Sequence, residues 1–285
     1  MDATTCVCFR CCQGSLKPAS SMSRPMYRFN QTIVRSPAQS VCRGLRAHDG
    51  VDPTYEGIEA EHSAYVTALR DAGAEVTILP PLEDFPDSIF VEDPALVFSE
   101  GAIVLRPGAR SRRGETETIA PTLRGIFDRV LDLPGEAFAD GGDVLTTPSS
   151  VMIGLSARTD RAGAKALRER LDMLGRKSEI VATPDGVLHF KSDCSLTDDE
   201  TILTTRRLAA SGVFQGKFRE LLVPEGEEAA ANALRINDVL LVGADFPQTI
   251  DLLTDAGYRV VPLSTREIGK IDAGLSCMSL RWFAP

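Results

Sequence analysis

A cysteine, a histidine and a small set of carboxylates occupy comparable places along this 285-residue chain. Cys277 lies in "DAGLSCMSLRW", His189 in "VLHFKSD", Asp140 and Asp143 in "FADGGDVL", and Asp87, Glu92 and Asp93 in "FPDSIFVEDPALV". Cysteine, histidine and an acid are the parts of a nucleophilic site, in which a base activates a thiol and a third group orients the base. Singly, each has a plainer reading. Buried cysteine is usually a small hydrophobe, histidine between apolar neighbours is usually a core residue, and aspartate near a turn is usually a cap or an Asx-turn. Asp143, which follows two glycines, suits a turn or a structural acceptor. Carboxylates around a thiol raise its pKa and suppress the nucleophile. The combination makes chemical sense if the substrate is a cation, and a guanidinium, planar and charged, matches paired carboxylates. Arginines for the opposite charge stand in "PGARSRRGETE" (Arg110, Arg112 and Arg113) and in "GLSARTD" (Arg158). Arginine captures a carboxylate bidentately, although a solvated basic loop also explains the first group.

These residues need elements to aim them. Four segments share the plan of apolar strand, polar turn, apolar strand: "ALVFSEGAIVL" from Ala95, "VLTTPSSVMIG" from Val144, "CSLTDDETILTT" from Cys194 and "ALRINDVLLVG" from Ala233. Their turn residues suit hairpins or short loops. "SARTDRAGAKALRERLDMLG" has helical apolar spacing at Ala164, Leu167, Leu171 and Leu174 and stops at Gly175. "EHSAYVTALRDAGAEVTILP" and "PQTIDLLTDAGYRVVPL" each run from helix through Asp-Ala-Gly into a strand, and such a glycine terminates a helix in the left-handed region. The unit is hairpin, helix, strand. A fifth hairpin requires "SCMSLRW" to pair with "QTIVRS" from the other end of the chain, which would close a ring. The alternative is an open α+β domain with coincidental spacing. Because each chemical residue precedes or begins a hairpin, a ring would turn them all toward one centre.

Composition bounds the rest. With 43% hydrophobic and 25% charged residues the chain suits a globular fold. No apolar run approaches a membrane helix. The net charge of −9 argues against nucleic-acid binding. Seven Arg or Lys and one acid fall between Met1 and His48, so the remainder is the more acidic part. Residues 1–25 lack the apolar stretch of a secretory signal and are expected to be a disordered or non-native extension, weakly like a transit peptide, ahead of one catalytic domain at 26–285. Four of the seven cysteines (Cys6, Cys8, Cys11 and Cys12) lie there. The single C-x-x-C pair does not make a zinc ribbon. An odd count without a signal peptide suggests free thiols and a reducing, cytoplasmic setting. His62, on a charged helix, and His48, in a Gly-Asp loop, are expected to be solvated.

"FPDSIFVEDP", "RPGARSRRGETE", "DGGDVL", "GLSARTD", "VLHFKSD" and "KIDAGLSCMSLR", in this order and spread between about Ile33 and Phe283, resemble the dimethylarginine dimethylaminohydrolases (dimethylargininases) of the guanidino-modifying pentein superfamily. The resemblance implies an α/β fold, a five-bladed α/β-propeller of hairpin-helix-strand repeats. It implies hydrolysis of asymmetric dimethylarginine and monomethylarginine to citrulline and an amine through a covalent Cys thiouronium. Carried over, Cys277 is the nucleophile, His189 the acid and base, and Asp140 the acid that orients it. Asp93, with Glu92 beside it, would bind the guanidinium. Asp87 would hold the α-ammonium, and Arg112 and Arg158 the α-carboxylate. Leu45 would ride on a lid, and Ile271 would offer its backbone. No cofactor or metal is implied, though zinc could inhibit a thiolate beside an imidazole. A small-molecule methylarginine is the partner, and a homodimer is allowed. Two positions depart from the pattern: the triad acid is glutamate in some members, and Ala273 stands where a second glycine is common. Arginine deiminase and amidinotransferase, on the same fold, remain alternatives, as does a non-catalytic amino-acid-binding or thiol-sensing relative.

Overall fold

All four hairpins form as antiparallel pairs, and each is completed by a parallel third strand reached through a helix. In the computed structural model, which describes Met1 and residues 25–47 and 50–285, the second unit is typical. Strand β3 (Ala95–Phe98) pairs with β4 (Gly101–Val104), helix α2 (Glu115–Ile126) crosses over, and β5 (Val130–Asp132) lies parallel to β4. The third unit repeats this with β6 (Val144–Thr146), β7 (Val151–Leu155), α3 (Arg161–Met173) and β8 (Ser178–Ala182). The fourth has β9 (Cys194–Leu196), β10 (Thr201–Thr204), the short α4 (Arg206–Ala209) and β11 (Arg219–Leu222). The fifth has β12 (Leu234–Ile236), β13 (Val239–Gly243), α5 (Pro247–Asp255) and β14 (Val260–Leu263).

The first unit is shared between the chain ends. Strand β15 (Leu280–Trp282) pairs antiparallel with β1 (Gln31–Arg35), and β1 leads through α1 (Tyr55–Asp71) to the parallel β2 (Glu75–Leu79). Among the described residues the result is an α/β fold of five three-stranded sheets with five helices, which fits five repeats of one unit. A parallel strand needs a crossover connection, and a helix packed on the sheet supplies it.

Local chemistry explains the boundaries. Asp160 caps α3 by accepting from the Gly163 N–H at 2.5 Å, and Thr54 caps α1 through Gly57 at 3.2 Å. Gly73 and Gly257 both end their helices at φ 91°, a conformation in which a Cβ would be strained. The apolar stripe of α3 (Ala164, Leu167, Leu171 and Leu174) is buried against Ile103, Val151 and Ile153. Each buried leucine of that stripe contributes roughly 1.5–3 kcal/mol.

His62 departs from expectation. It is 6% exposed on the inner face of α1, with a pKa lowered to about 4 by burial. Its neighbour Glu61 is buried beside it, accepting from the Glu267 and Ile268 N–H groups, while Glu59 is exposed, so the helix phase and not the local composition decides its environment. The expected extension (residues 1–25, with Cys6, Cys8, Cys11 and Cys12) lies outside the described residues except for Met1 and Pro25, as does His48. Among the described residues near this end, Pro25 accepts from the Arg28 N–H at 3.1 Å, the Met26 N–H donates to Asp199 at 3.2 Å and the Phe29 N–H donates to Asn237 at 2.9 Å. Among the described residues no helix is long and apolar enough to cross a membrane.

Candidate active site

Each of the five hairpins begins just after a polar residue: Asp93 before β3, Asp140 before β6, His189 before β9, Asn232 before β12 and Cys277 before β15. The fold brings these strand starts together. His189 Nε2 lies 3.0 Å from Asp140 Oδ2 and 3.9 Å from Asp93 Oδ1. Asp140 is fully buried, and its other oxygen accepts from the Gly108 N–H at 2.7 Å. Asp93 accepts from the Gly142 N–H at 2.9 Å and pairs with Arg112. The two glycines of "DGGD" permit this approach. A Cβ on Gly142 would stand 2.8 Å from the His189 ring and 2.9 Å from Asp93 Oδ1, closer than packed atoms tolerate. Asp143 is the structural acceptor expected of it, taking the Phe190 N–H at 2.8 Å and the Ser156 hydroxyl at 2.6 Å.

The electrostatics follow from this crowding. Burial alone would lower the His189 pKa, but Asp93, the hydrogen bond to Asp140, and Asp143 outweigh it and lift it to about 9. His189 is therefore an imidazolium at neutral pH. Burial pushes Asp93 up, yet His189, Arg112 and the Gly142 N–H hold it below the ordinary carboxylate range. Cys277, in the turn Leu275–Met278, is shifted the other way: burial first, then Glu92 and Asp93, raise its thiol. The unliganded site thus holds a charged histidine and a neutral thiol.

The substrate-side residues also converge. The Leu45 N–H donates to Asp87 Oδ1 at 2.9 Å, and a Cβ on the neighbouring Gly44 would lie 3.2 Å from both Asp87 Oδ1 and Ile271 Cδ1. Leu45 itself is exposed, whereas Asp87 and Ile271 are buried. Ala47 N–H to Asp272 at 2.5 Å ties the two loops together. Burial raises the Asp87 pKa above its usual value. Arg158 is partly exposed, with Nη1 3.9 Å from Asp140 Oδ2.

Arg112 differs from Arg158 in being 4% exposed and heavily engaged within the chain. Nε and Nη2 donate to Glu115 at 2.9 and 2.7 Å, Nη2 also reaches the carbonyls of Asp87 and Phe90, and Nη1 holds Asp93. A guanidinium has five N–H donors, and among these contacts only one, on Nη1, has no partner. Glu92 is likewise engaged. Lys191 Nζ and Arg281 Nη2 lie 2.5 and 3.0 Å from Oε1, and the Ser276 hydroxyl lies 3.4 Å from Oε2.

Lys191, Arg281 and Asn232 were not singled out by sequence. Lys191 and Arg281 sit inside motifs already quoted, and Asn232 stands at the start of the fourth hairpin, so position within the repeat was the available signal. Lys191, Arg281 and Glu92 line one side of a cavity of about 280 Å³ that Cys277 and His189 do not line. Among the described residues, Asp93, Asp140 and His189 place ligand atoms within 4.8 Å of one another. A cation there would compete with Arg112 for Asp93 and require His189 to lose its proton, so the group is better suited to acid-base work.

Comparison with known proteins places the chain among relatives of one family. The family model described as N,N dimethylarginine dimethylhydrolase, eukaryotic, matches residues 48–182. The N(G),N(G)-dimethylarginine dimethylaminohydrolase of Pseudomonas aeruginosa is 37% identical over 255 residues, covering 89% of this chain and 100% of that one. A structure of the Pseudomonas aeruginosa enzyme, a cysteine-to-serine mutant complexed with citrulline, superposes with a TM-score of 0.86 at 36% identity, covering 90% of this chain and 100% of that one. A dimethylarginine dimethylaminohydrolase in which a histidine is replaced by glycine, as an adduct with S-methyl-L-thiocitrulline, also gives 0.86 at 37% identity, with 89% and 99% covered.

Proposed function

This chain belongs to the dimethylarginine dimethylaminohydrolase family, and from that premise we propose that it hydrolyses Nω-methylated arginines to citrulline and methylamine or dimethylamine through Cys277. The carrying observation is the charge order of the site: His189 is held as a cation by Asp140 and Asp93, while the Cys277 thiol faces carboxylates. A thiol so placed needs a cation to become a thiolate, and a guanidinium bound by Asp93 supplies it.

In this reading the thiol proton passes to solvent as the substrate docks, and Sγ attacks the guanidinium carbon. The His189 imidazolium protonates the departing amine, the C–N bond breaks, and a thiouronium remains on sulfur. His189, now neutral, takes a proton from water. The resulting hydroxide adds to the same carbon, the C–S bond breaks as the added hydroxyl's proton passes to the departing sulfur, and citrulline leaves with the Cys277 thiol restored. The Pseudomonas citrulline complex and thiocitrulline adduct support the product and the covalent route.

Asp140 orients His189, Asp87 takes the α-ammonium on the oxygen that Leu45 leaves available, and Ile271 offers its backbone. Arg158 carries most of the α-carboxylate contact, because Arg112 has one N–H to contribute and is otherwise spent on holding Asp93 and Asp87 in place. Glu92 acts on the guanidinium through its field, since Lys191 and Arg281 both hold Oε1 and the Ser276 hydroxyl meets Oε2. The five sheets are read as blades of a closed five-bladed α/β-propeller forming one domain from residue 26 to 285, a reading supported by the β15–β1 pairing. The free thiols of Cys42, Cys194 and Cys277 favour a cytoplasmic setting.

Arginine deiminase chemistry uses the same groups, so the decisive experiment offers arginine, monomethylarginine and asymmetric dimethylarginine to the purified protein and measures citrulline together with ammonia, methylamine or dimethylamine. Citrulline with a methylated amine is the expected result. Citrulline with ammonia from arginine alone would make it a deiminase.

A further inference from the structure

We propose that Asn232 is a catalytic residue: its side-chain amide donates a hydrogen bond to the Cys277 sulfur and stabilises the thiolate. The inference rests on the thiol-nucleophile reading given above. Asn232 stands before β12, the position that Asp93, Asp140, His189 and Cys277 hold before their own hairpins, so all five repeats contribute a polar group to the centre. Asn232 Nδ2 lies 3.5 Å from Cys277 Sγ. Its Oδ1 accepts the Ser276 N–H at 3.1 Å. The second contact decides the orientation of the amide. With the oxygen committed to a backbone donor, the NH₂ group must face the sulfur. The nucleophile turn is shaped to admit this side chain, because a Cβ on Gly274 would stand 2.3 Å from Asn232 Cγ and 2.5 Å from Nδ2.

The chemistry explains why an amide suits this place. The titratable groups acting on the sulfur are Glu92 and Asp93, with Tyr65 nearby, and the two carboxylates disfavour the thiolate. Lys191 and Arg281 answer Glu92 rather than the sulfur. A lysine or arginine against the sulfur would favour the thiolate but repel a guanidinium substrate. A neutral N–H donor stabilises the developing anion without opposing the cation that must dock beside it.

The test replaces Asn232 with Ala and with Asp, and follows alkylation of Cys277 by iodoacetamide against pH with no substrate present. In Asn232→Ala the midpoint is expected to rise by about one unit, and kcat for methylarginine to fall about 10- to 100-fold with KM changed little, the scale of a hydrogen bond to a charged group. Asn232→Asp keeps an acceptor for the Ser276 N–H but turns an oxygen toward sulfur, so it is expected to be slower than Ala. An Asn232→Ala midpoint equal to the wild-type value, or a loss confined to KM, overturns the proposal and leaves Asn232 as packing for the turn. If Asn232→Ala does not fold, the Asp variant decides in the same way, an unmoved midpoint overturning the proposal. The alkylation midpoints need no substrate, so wild-type protein that makes no citrulline would defeat the proposed function and leave this test standing.

Discussion

The backbone N–H of Glu92 donates to the carbonyl of Cys277 at 3.2 Å, while the Glu92 carboxylate is among the charges that raise the Cys277 thiol. One residue therefore both positions the proposed nucleophile and holds its thiol neutral. The same hydrogen bond joins "FVEDP" to "LSCMS", segments 185 positions apart in sequence, and so fixes the acidic cluster beside Cys277. Restraint of the thiol until a cation arrives protects it from adventitious alkylation and oxidation.

Cys277→Ser should lower citrulline formation by about a thousand-fold or more, since loss of a nucleophile removes the function of the groups around it. Circular dichroism and the melting temperature should change little, because the hydroxyl fits the same partly buried place. Turnover by the folded Ser variant at a rate near wild type would exclude Cys277 as nucleophile.

The His189 charge should be visible as a pH-dependent contribution to stability. Its folded pKa of about 9 exceeds the ordinary 6.5. Its stabilising contribution is accordingly complete below about pH 6.5 and lost as pH climbs through 9, a swing of up to about 3 kcal/mol. Comparing wild type with His189→Gln by denaturant unfolding between pH 6 and 10 isolates this residue. The stability difference should shrink with rising pH, and a constant difference would show that His189 is not held as a cation.

Lys191→Met should destabilise the protein by about 2–3 kcal/mol, somewhat under the usual cost of stranding a buried charge because Arg281 still accompanies Glu92. The less compensated Glu92 should also raise the Cys277 thiol further. Thermal melting and the alkylation pH profile measure the two effects, and a variant indistinguishable in both would mean that Arg281 alone neutralises Glu92.

Gly142→Ala should lower kcat about 100-fold or more, the scale of an ångström-sized misplacement of a catalytic group. The added methyl collides with His189 and Asp93, both of which the proposed mechanism uses. Citrulline kinetics would show it, and wild-type kcat in this variant would mean that the loop yields without disturbing the imidazole.

Arg158→Ala should weaken kcat/KM for free methylarginine by about 1.5–3 kcal/mol, the worth of a hydrogen bond to a charged group, and matter far less for methylguanidine, which has no carboxylate. Equal losses for the two compounds would assign Arg158 to holding Asp140 instead.

Much of this molecule follows from its sequence alone, for reasons of local physics. Alternating apolar strands around turn residues specify the hairpins, and the spacing of Ala164, Leu167 and Leu171 specifies a helix face. Gly73 and Gly257 end helices because few other residues tolerate a left-handed conformation. The quoted motifs single out Cys277, His189 and the carboxylates as candidates for the site by residue type and order. What the sequence left open are relationships between residues far apart along it. Whether His62 is wet or buried depends on which face of α1 meets the sheet. That Arg112 is spent on Glu115, Asp93 and two carbonyls, and that Glu92 is answered by Lys191 and Arg281, depends on where three repeats cross. Asn232 looks like any loop asparagine until β12 and β15 bring its amide against Cys277. Hydrogen bonds and charge fields act over a few ångströms of space, and only the folded chain decides which residues share those ångströms.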